Sequence, residues 1–240
     1  MAKKRKIRND TLLKTIKKLL WRGTVLFFSI SILSVIALNW FPVRYTPLMF
    51  LRFVENIDDN NYRSIRKWKS LDEISDNMIR AALAAEDANF MEHFGFDWEA
   101  IKRAMDLNRR GGKKYGASTI TQQTAKNVYL TPSRSWFRKG MEAYFTILIE
   151  IFWTKERIIE IYLNVIEVGN GLYGVEAAAQ TYFNKPAYKL TAFEACQIAS
   201  ILPNPREYQI DNPTRELQKK QRKIKQSMEY VKWKERKKER

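Results

Sequence analysis

The chain has 240 residues, with 43 Lys and Arg against 26 Asp and Glu, and a formal net charge of +17. This length suits one substantial domain whose core needs no covalent cross-links. The single cysteine, Cys196, excludes an internal disulfide framework and a cysteine-rich zinc site, and the single histidine, His93, excludes a polyhistidine metal centre. The net charge alone suggests nucleic-acid binding, so its distribution along the chain decides whether that interpretation holds.

Nearly all of the excess positive charge lies at the two ends of the chain. Residues 1–22 contain nine Lys and Arg and one Asp, and residues 215–240 contain twelve Lys and Arg and four Glu, so each end carries +8. A nucleic-acid-binding domain would be expected to place its basic patch on the folded body, which here is almost neutral. We therefore expect no nucleic-acid partner, and we expect residues 213–240 to form a basic tail near anionic lipids or wall polymers.

An uncharged segment follows the first basic block. The 21 residues Gly23–Val43 contain no charged side chain and are long enough to cross a bilayer, and Trp21, Trp40 and Phe41 lie at the two ends of the segment. The preceding Lys and Arg residues predict that residues 1–22 lie in the cytoplasm and the body lies across the membrane. A cleavable signal peptide is the alternative. We favour an uncleaved anchor, because the apolar region is long and Val35-Ile36-Ala37 is a poor cleavage site.

The body of the chain shows mainly helical patterns. Residues 48–57 form a short amphipathic stretch that fits either the membrane interface or a packed helix. Apolar residues recur at three- and four-residue steps between Ile74 and Ala85, which predicts a helix. Further helical windows are Trp98–Leu107, Thr119–Tyr129, Trp136–Trp153, Lys155–Val165, Val175–Phe183 and Thr191–Leu202. Sustained period-two alternation does not occur, so we expect little sheet and a mainly helical domain over residues 44–212, with a loop at 111–116.

Glu86 is the first candidate for chemistry. It ends an apolar helical run directly after Ala84 and Ala85. A carboxylate in a low-dielectric cleft has a raised proton affinity, as a general base or acid requires. A carboxylate at a helix end that faces water is the alternative, and spacing alone does not distinguish the two.

A second polar region follows between Gly116 and Glu142. Ser118 and Thr119 open a predicted helix, whose N-terminus favours anions. Cations that suit phosphates, together with a second carboxylate, come next along the chain: Lys126, Arg134, Arg138, Lys139 and Glu142. Taken singly, each of these pieces also fits a solvated helix face.

Together these residues form ordered motifs over residues 65–210. The motifs are Glu86-Asp87-x-x-Phe90-x-x-His93-x-Gly95, Gly116-x-Ser118-Thr119-Ile120-Thr121-Gln122-Gln123, Arg138-Lys139-x-x-Glu142, Lys155-x-x-Ile158-Ile159-Glu160-x-Tyr162-Leu163-Asn164, Gly174-Val175-Glu176-Ala177-Ala178 with Tyr182-Phe183-x-Lys185, and Leu190-Thr191 through Leu202-Pro203-Asn204-Pro205. In type and order they resemble the signature motifs of the peptidoglycan glycosyltransferase family. An anchor with a short body is similar to the stand-alone, monofunctional members. One departure is Ala117, where the family usually has a second glycine.

The resemblance implies a lysozyme-like, mainly helical fold and lipid II as the substrate. It implies that Glu86 is the general base for the acceptor hydroxyl and that Glu142 is the second carboxylate, near the leaving diphosphate. It also implies a divalent cation, Mg²⁺ or Mn²⁺, as an option near Glu142. The other roles it implies are phosphate binding by Lys126, Arg134, Arg138 and Lys139, donor binding by Ser118, Thr119, Gln122, Gln123 and Asn127, and support of the first motif by Asp87, Phe90 and His93.

The same resemblance implies a location and partners. The location is the bacterial cytoplasmic (inner) membrane, with a single span and the catalytic domain on the outer, periplasmic face. The partners are lipid II, the growing glycan chain, membrane lipids and other cell-wall synthases. The expected product is a β-1,4-linked glycan formed with inversion.

Several rival interpretations remain at this point. A lytic glycosidase of similar fold would need a protonated catalytic Glu and would gain nothing from cations beside the second carboxylate. A membrane-tethered binding protein would not require an ordered pair of acids. The G-x-G-x-x-G of Gly169–Gly174 follows a helical window, so we interpret it as a loop and not as a dinucleotide site. Ser64-x-x-Lys67 and Ser75-Asp-Asn77 imitate transpeptidase motifs but lack the third, Lys-Thr-Gly.

Overall fold

The computed structural model describes residues 2–60, 62–112, 115–133 and 135–233, and these form two compact units, residues 1–41 and 42–240. Arg134 lies outside the described residues, as do Lys113 and Lys114 of the predicted loop and residues 234–240 of the predicted tail. The phosphate-binding role predicted for Arg134 therefore has no structural description.

The first unit consists mainly of helix α1, Ala2–Leu38. Its part Leu13–Leu38 is the one helix, among the described residues, that is long and apolar enough to cross a membrane. Hydroxyl groups inside it are satisfied within the helix, since Ser31 Oγ donates to Phe28 O at 3.0 Å and Ser34 Oγ donates to Ser31 O at 2.7 Å. The helix ends at Leu38, earlier than the predicted limit of the span at residue 43.

The second unit is mainly helical, as predicted. Its helices are α2 Pro47–Glu55, α3 Asp76–Glu86, α4 Trp98–Arg109, α5 Ile120–Tyr129, α6 Trp136–Phe152, α7 Lys155–Val165, α8 Val175–Phe183, α9 Ala192–Ile201 and α10 Arg215–Ser227. Most begin after a Ser or Thr whose hydroxyl accepts a backbone N–H of the first turn, as Ser75 does for α3 and Thr154 for α7. These local caps explain why the predicted windows agree with the observed helices to within two residues.

The sheet is as small as the lack of alternation predicted. Strands β1 (Ile65–Arg66), β2 (Glu167–Gly169) and β3 (Leu172–Tyr173) lie in the order β1-β3-β2, with β2 and β3 antiparallel and β1 parallel to β3. The predicted loop at Gly169–Gly174 is thus part of a tight hairpin between α7 and α8. Gly171 has φ +69°, and a Cβ there would lie 2.3 Å from the carbonyl oxygen of Arg63, so the turn requires glycine.

The core brings α3 and α5 together. Helix α5 packs against α6 and α7, and α3 packs against α9. Ile79 and Leu83 of α3, Ile149 of α6 and Ile158 of α7 are fully buried among the apolar side chains of this core. The C-terminal end of α3 and the N-terminal end of α5 consequently meet at one edge of the core.

The C-terminal segment corrects the boundary predicted at residue 213. Helix α10 packs against α9 and α3, and the short 3₁₀ turn Met228–Tyr230 follows it. Leu217, Ile224 and Met228 form a buried stripe, continued by Val231 and Trp233. An apolar residue at roughly every second turn is enough to seat the helix, although its remaining residues are mostly basic. Residues 213–233 therefore belong to the folded domain and are not a tail.

Candidate active site

Glu86 is the last residue of α3 and lies at the edge of a cleft. Its Oε2 accepts a hydrogen bond from Gln123 Nε2 of α5 at 2.8 Å. The hydroxyl of Tyr162, on α7, contacts Gln123 Oε1 at 3.4 Å. Three helices thereby position one carboxylate through a chain of neutral hydrogen-bonding groups.

The charge state of Glu86 is set by opposing influences. Burial raises the pKa of its carboxyl group above the ordinary value, whereas the hydrogen bond from Gln123 and the charges of Lys220 and Lys126 lower it. Burial also raises the pKa of the Tyr162 hydroxyl well above its ordinary value, with the carboxylates of Glu86 and Asp87 acting in the same direction. Tyr162 is therefore a neutral donor, and Glu86 has the proton affinity of a usable base.

The turn after Glu86 is tied to the start of α5. Asp87 Oδ2 accepts the backbone N–H of Ile120 at 2.9 Å, and His93 Nε2 lies 2.9 Å from Asp87 Oδ1. Phe90 is buried beneath this turn, with Lys155 Nζ 4.5 Å from its ring centroid. These contacts place Asp87, Phe90 and His93 where they hold Glu86 against Gln123.

A second, buried carboxylate lies on α6. Glu142 is 3% exposed, and its Oε2 is 2.5 Å from Arg138 Nη1 while its Oε1 accepts from Lys139 Nζ. Burial lowers the pKa of Lys126, on α5, while the charges of Glu142 and Glu86 raise it. Lys126 thus feels both carboxylates and links the two parts of the site electrostatically.

Two cavities meet at Gln123. The larger, about 730 Å³, is lined by Glu86 and Gln123 and by residues that include Arg103, Ser118, Thr119, Lys220 and Lys223. The smaller, about 230 Å³, is lined by Gln123 and by residues that include Arg52, Lys126, Asn127, Tyr162 and Glu167. The site is accordingly a cleft with Glu86 on one side of Gln123 and Lys126 on the other.

The residues predicted to bind the donor are divided between these cavities. Ser118 and Thr119 line the larger cavity, whereas Lys126 and Asn127 line the smaller one. Gln122 lines neither of them, because its side chain accepts the N–H of Thr119 in the capping box that starts α5. Gln122 is thus placed as a structural residue, and the adjacent Gln123 is the glutamine that faces the cleft.

Sequence reasoning missed several residues of the cleft. Arg52 of α2 and Tyr162 of α7 line the smaller cavity, and Lys220 and Lys223 of α10 line the larger one. The stripe of Leu217 and Ile224 was the available signal for α10, because it implies that this basic helix is packed.

Comparison with known proteins identifies the family. The sequence model described as Transglycosylase matches residues 52–229, which is most of the chain. The chain belongs to the transglycosylase family. The resemblance inferred from the motifs is therefore confirmed, and so is its identification as an enzyme. The matched region includes α10, in agreement with its place in the folded domain.

Relatives of this transglycosylase align over most of their length. Proteins named biosynthetic peptidoglycan transglycosylase are 50% identical in Bdellovibrio bacteriovorus over 88% of this chain and 85% of the relative, and 46% identical in Bacteroides thetaiotaomicron over 86% and 84%. The corresponding protein of Caulobacter vibrioides is 47% identical over 80% of this chain and 82% of the relative.

The divalent cation predicted near Glu142 finds no ready ligand set in this transglycosylase. In the described part of the chain, no three His, Cys, Asp or Glu side chains form a group that could hold a metal ion. Both oxygens of Glu142 are already bound by Arg138 and Lys139. The residues around Glu142 do not fit a resident metal in this arrangement, so we derive no catalytic step through one, and the metal requirement stays a prediction.

Proposed function

We propose that this transglycosylase is a peptidoglycan glycosyltransferase that polymerises lipid II into β-1,4-linked glycan and releases undecaprenyl pyrophosphate. The observation that carries the proposal is the pairing of Glu86, a buried and neutrally positioned carboxylate, with a separate cluster of cations around Glu142. A base and a group of cations on the two sides of one cleft suit the attack of a hydroxyl on a sugar diphosphate.

The proposed step begins at Glu86. Its carboxylate takes the proton from the 4-hydroxyl of the acceptor GlcNAc, whose oxygen forms a bond to C1 of the donor MurNAc. The bond from C1 to the diphosphate breaks on the opposite face, and its electron pair leaves with the diphosphate. The α-linkage is replaced by a β-linkage, which accounts for inversion. Burial supports this role because it raises the pKa of Glu86 and so strengthens the base.

The leaving diphosphate needs positive charge more than it needs an acid. Lys126, Arg138 and Lys139 are the cations at hand, and Glu142 holds the last two on α6. We assign them to stabilising the charge that develops on the diphosphate. The buried position of Glu142 between two cations supports a positioning role for this carboxylate.

We further propose that the protein is anchored in the cytoplasmic membrane with its N-terminus in the cytoplasm and its catalytic domain on the periplasmic face. The apolar helix Leu13–Leu38 and the basic residues before it support this orientation. Helix α2 supports a location close to the bilayer, because Phe50, Phe53 and Ile57 are more than half exposed. Partner synthases remain a prediction.

The decisive experiment is a polymerisation assay with purified full-length protein and lipid II in detergent. We expect glycan chains that a muramidase digests, and we expect Glu86→Gln to abolish their formation without changing the melting temperature. Glu229→Gln, a change at an exposed carboxylate of the same domain, is the matched control and should retain full activity. Release of soluble muropeptides from finished wall, without polymerisation of lipid II, would overturn the proposal in favour of a lytic glycosidase.

A further inference from the structure

Helix α10 forms one wall of the cavity that contains Glu86. The helix starts at the cap residue Thr214, and its buried Leu217 and Ile224 seat it on α3 and α9. Lys220 and Lys223 are three residues apart, so they lie along the same edge of the helix, and both line the cavity. The basic segment thus contributes two cations to the cleft.

Lys220 is held in place by the end of α9. Its Nζ donates to the carbonyl oxygen of Ser200 at 3.0 Å, and the neighbouring Gln221 donates to Ser200 Oγ at 3.3 Å. Among the charged groups that act on Glu86, Lys220 has the largest effect on its pKa, ahead of Lys126 from α5 and Asp87 from α3, and it lowers the value. Lys220 is therefore directed towards the reacting carboxylate and not simply towards solvent.

The acidic groups of the same cavity are engaged elsewhere. Asp97 accepts the N–H of Ala100 at 2.7 Å as the cap of α4 and also binds Asn89 at 3.1 Å. Asp87 is held by Ile120 and His93, as described above. The positive side chains, Lys220 and Lys223 with Arg103, are thus arranged around open space in a cavity large enough for a sugar.

The position of this cavity indicates which part of the substrate it holds. In the proposed reaction, the departing diphosphate lies on the side of Lys126 and Glu142. The acceptor must approach Glu86 from the other side, where α10 lies. An acceptor of this class is itself anionic, since it carries peptide carboxylates and a diphosphate.

We propose that Lys220 and Lys223 form an acceptor subsite that binds an anionic group of the incoming glycolipid and presents its sugar hydroxyl to Glu86. This inference rests on the proposed function and extends it. The shared chemistry is an anion bound by two ammonium groups, and its two possible sources are a peptide carboxylate and the acceptor diphosphate.

The test compares four single substitutions on one helix in the full-length protein. Lys220→Ala and Lys223→Ala remove the proposed subsite, whereas Lys219→Ala and Arg222→Ala remove exposed cations that do not line the cavity. For each subsite variant we expect kcat/KM for lipid II to fall about tenfold, mainly through KM, which is the usual scale for one lost charge-assisted contact. The two control variants should remain within about twofold of the wild type.

A pH profile separates positioning from a merely structural effect. Lys220→Ala should also move the acid limb of kcat/KM to higher pH, because a positive charge that favours ionised Glu86 is lost, and Lys220→Arg should restore it. Lipid II with amidated peptide carboxylates distinguishes the two sources of the anion. If the KM defect of Lys223→Ala disappears with it, the subsite binds the peptide, and if the defect persists, the subsite binds the diphosphate.

The two proposals fail in different ways. A wild-type protein that does not polymerise lipid II overturns the proposed function. A wild type that polymerises lipid II, with Lys220→Ala and Lys223→Ala indistinguishable from the Lys219→Ala and Arg222→Ala controls, overturns the acceptor subsite alone.

Discussion

At the scale of the residue, the chemistry depends on how the proton affinity of Glu86 is balanced. Burial raises its pKa and makes it a stronger base, but a base must also be ionised before it can act. The hydrogen bond from Gln123 and the nearby ammonium groups favour the ionised form. The arrangement therefore combines a desolvated carboxylate with enough positive surroundings to keep it charged.

The contribution of Gln123 can be measured directly. Gln123→Met keeps the side-chain volume but removes the N–H donor that stabilises ionised Glu86, so the pKa of Glu86 should rise. Because the base acts in its ionised form, the acid limb of the pH profile of kcat/KM should then move to higher pH. Gln226→Met, at an exposed position of α10, should leave the profile unchanged. An unchanged acid limb in Gln123→Met would contradict this account of the site.

At the scale of the element, α10 shows how little apolar surface is needed to recruit a basic helix to a domain. Leu217 and Ile224 are seven residues apart and lie on one face, and Gln221 between them is also buried. The basic residues of the helix occupy the other faces, where their charge is solvated or lines the cleft. The same segment thus provides both part of the core and part of the site.

This packing predicts a clear difference in stability. Leu217→Ala and Ile224→Ala should each lower the free energy of unfolding by about 2–4 kcal/mol, because each leaves a cavity between α10 and the helices beneath it. Lys219→Ala on the exposed face should change it by less than about 0.5 kcal/mol. Thermal or urea denaturation of the full-length protein checks both values. Equal stabilities for the three variants would mean that α10 does not contribute to the core.

At the scale of the whole molecule, the net charge of +17 serves different purposes in different places. The basic residues of positions 1–22 precede an apolar helix and predict its orientation in the membrane. Much of the C-terminal charge lies on α10, a folded element of the catalytic unit. Only two of its lysines, Lys220 and Lys223, line the cavity among the residues that the structure describes. The total charge therefore says little about the ligand.

The proposed orientation leads to a protease-protection experiment. In spheroplasts that carry the protein with an N-terminal epitope, trypsin added outside should remove the catalytic domain and leave a short protected fragment that retains the epitope. Disruption of the membrane should expose the epitope to digestion, which serves as the control. Loss of the epitope in intact spheroplasts would place the N-terminus outside and reverse the proposed orientation.

The sequence by itself determined the features that depend on neighbours along the chain. Helix starts follow from hydroxyl caps such as Thr154, whose oxygen binds a backbone N–H three residues ahead. The apolar segment depends on composition alone, and the order of the motifs was sufficient to indicate the family. Glu86 and Glu142 were recognised in the same way, as positions within motifs.

Only the tertiary structure decided which side chains meet. Gln122 and Gln123 are adjacent and chemically identical, yet the 100° turn between successive helical residues directs one to a cap and the other to Glu86. Lys220 reaches the cleft because Leu217 and Ile224 seat α10 on α3 and α9. Such contacts join residues 37 or more positions apart, as between Glu86 and Gln123. They depend on how whole helices pack, because local hydrogen bonds and apolar periodicity specify the elements but not the surfaces that face each other.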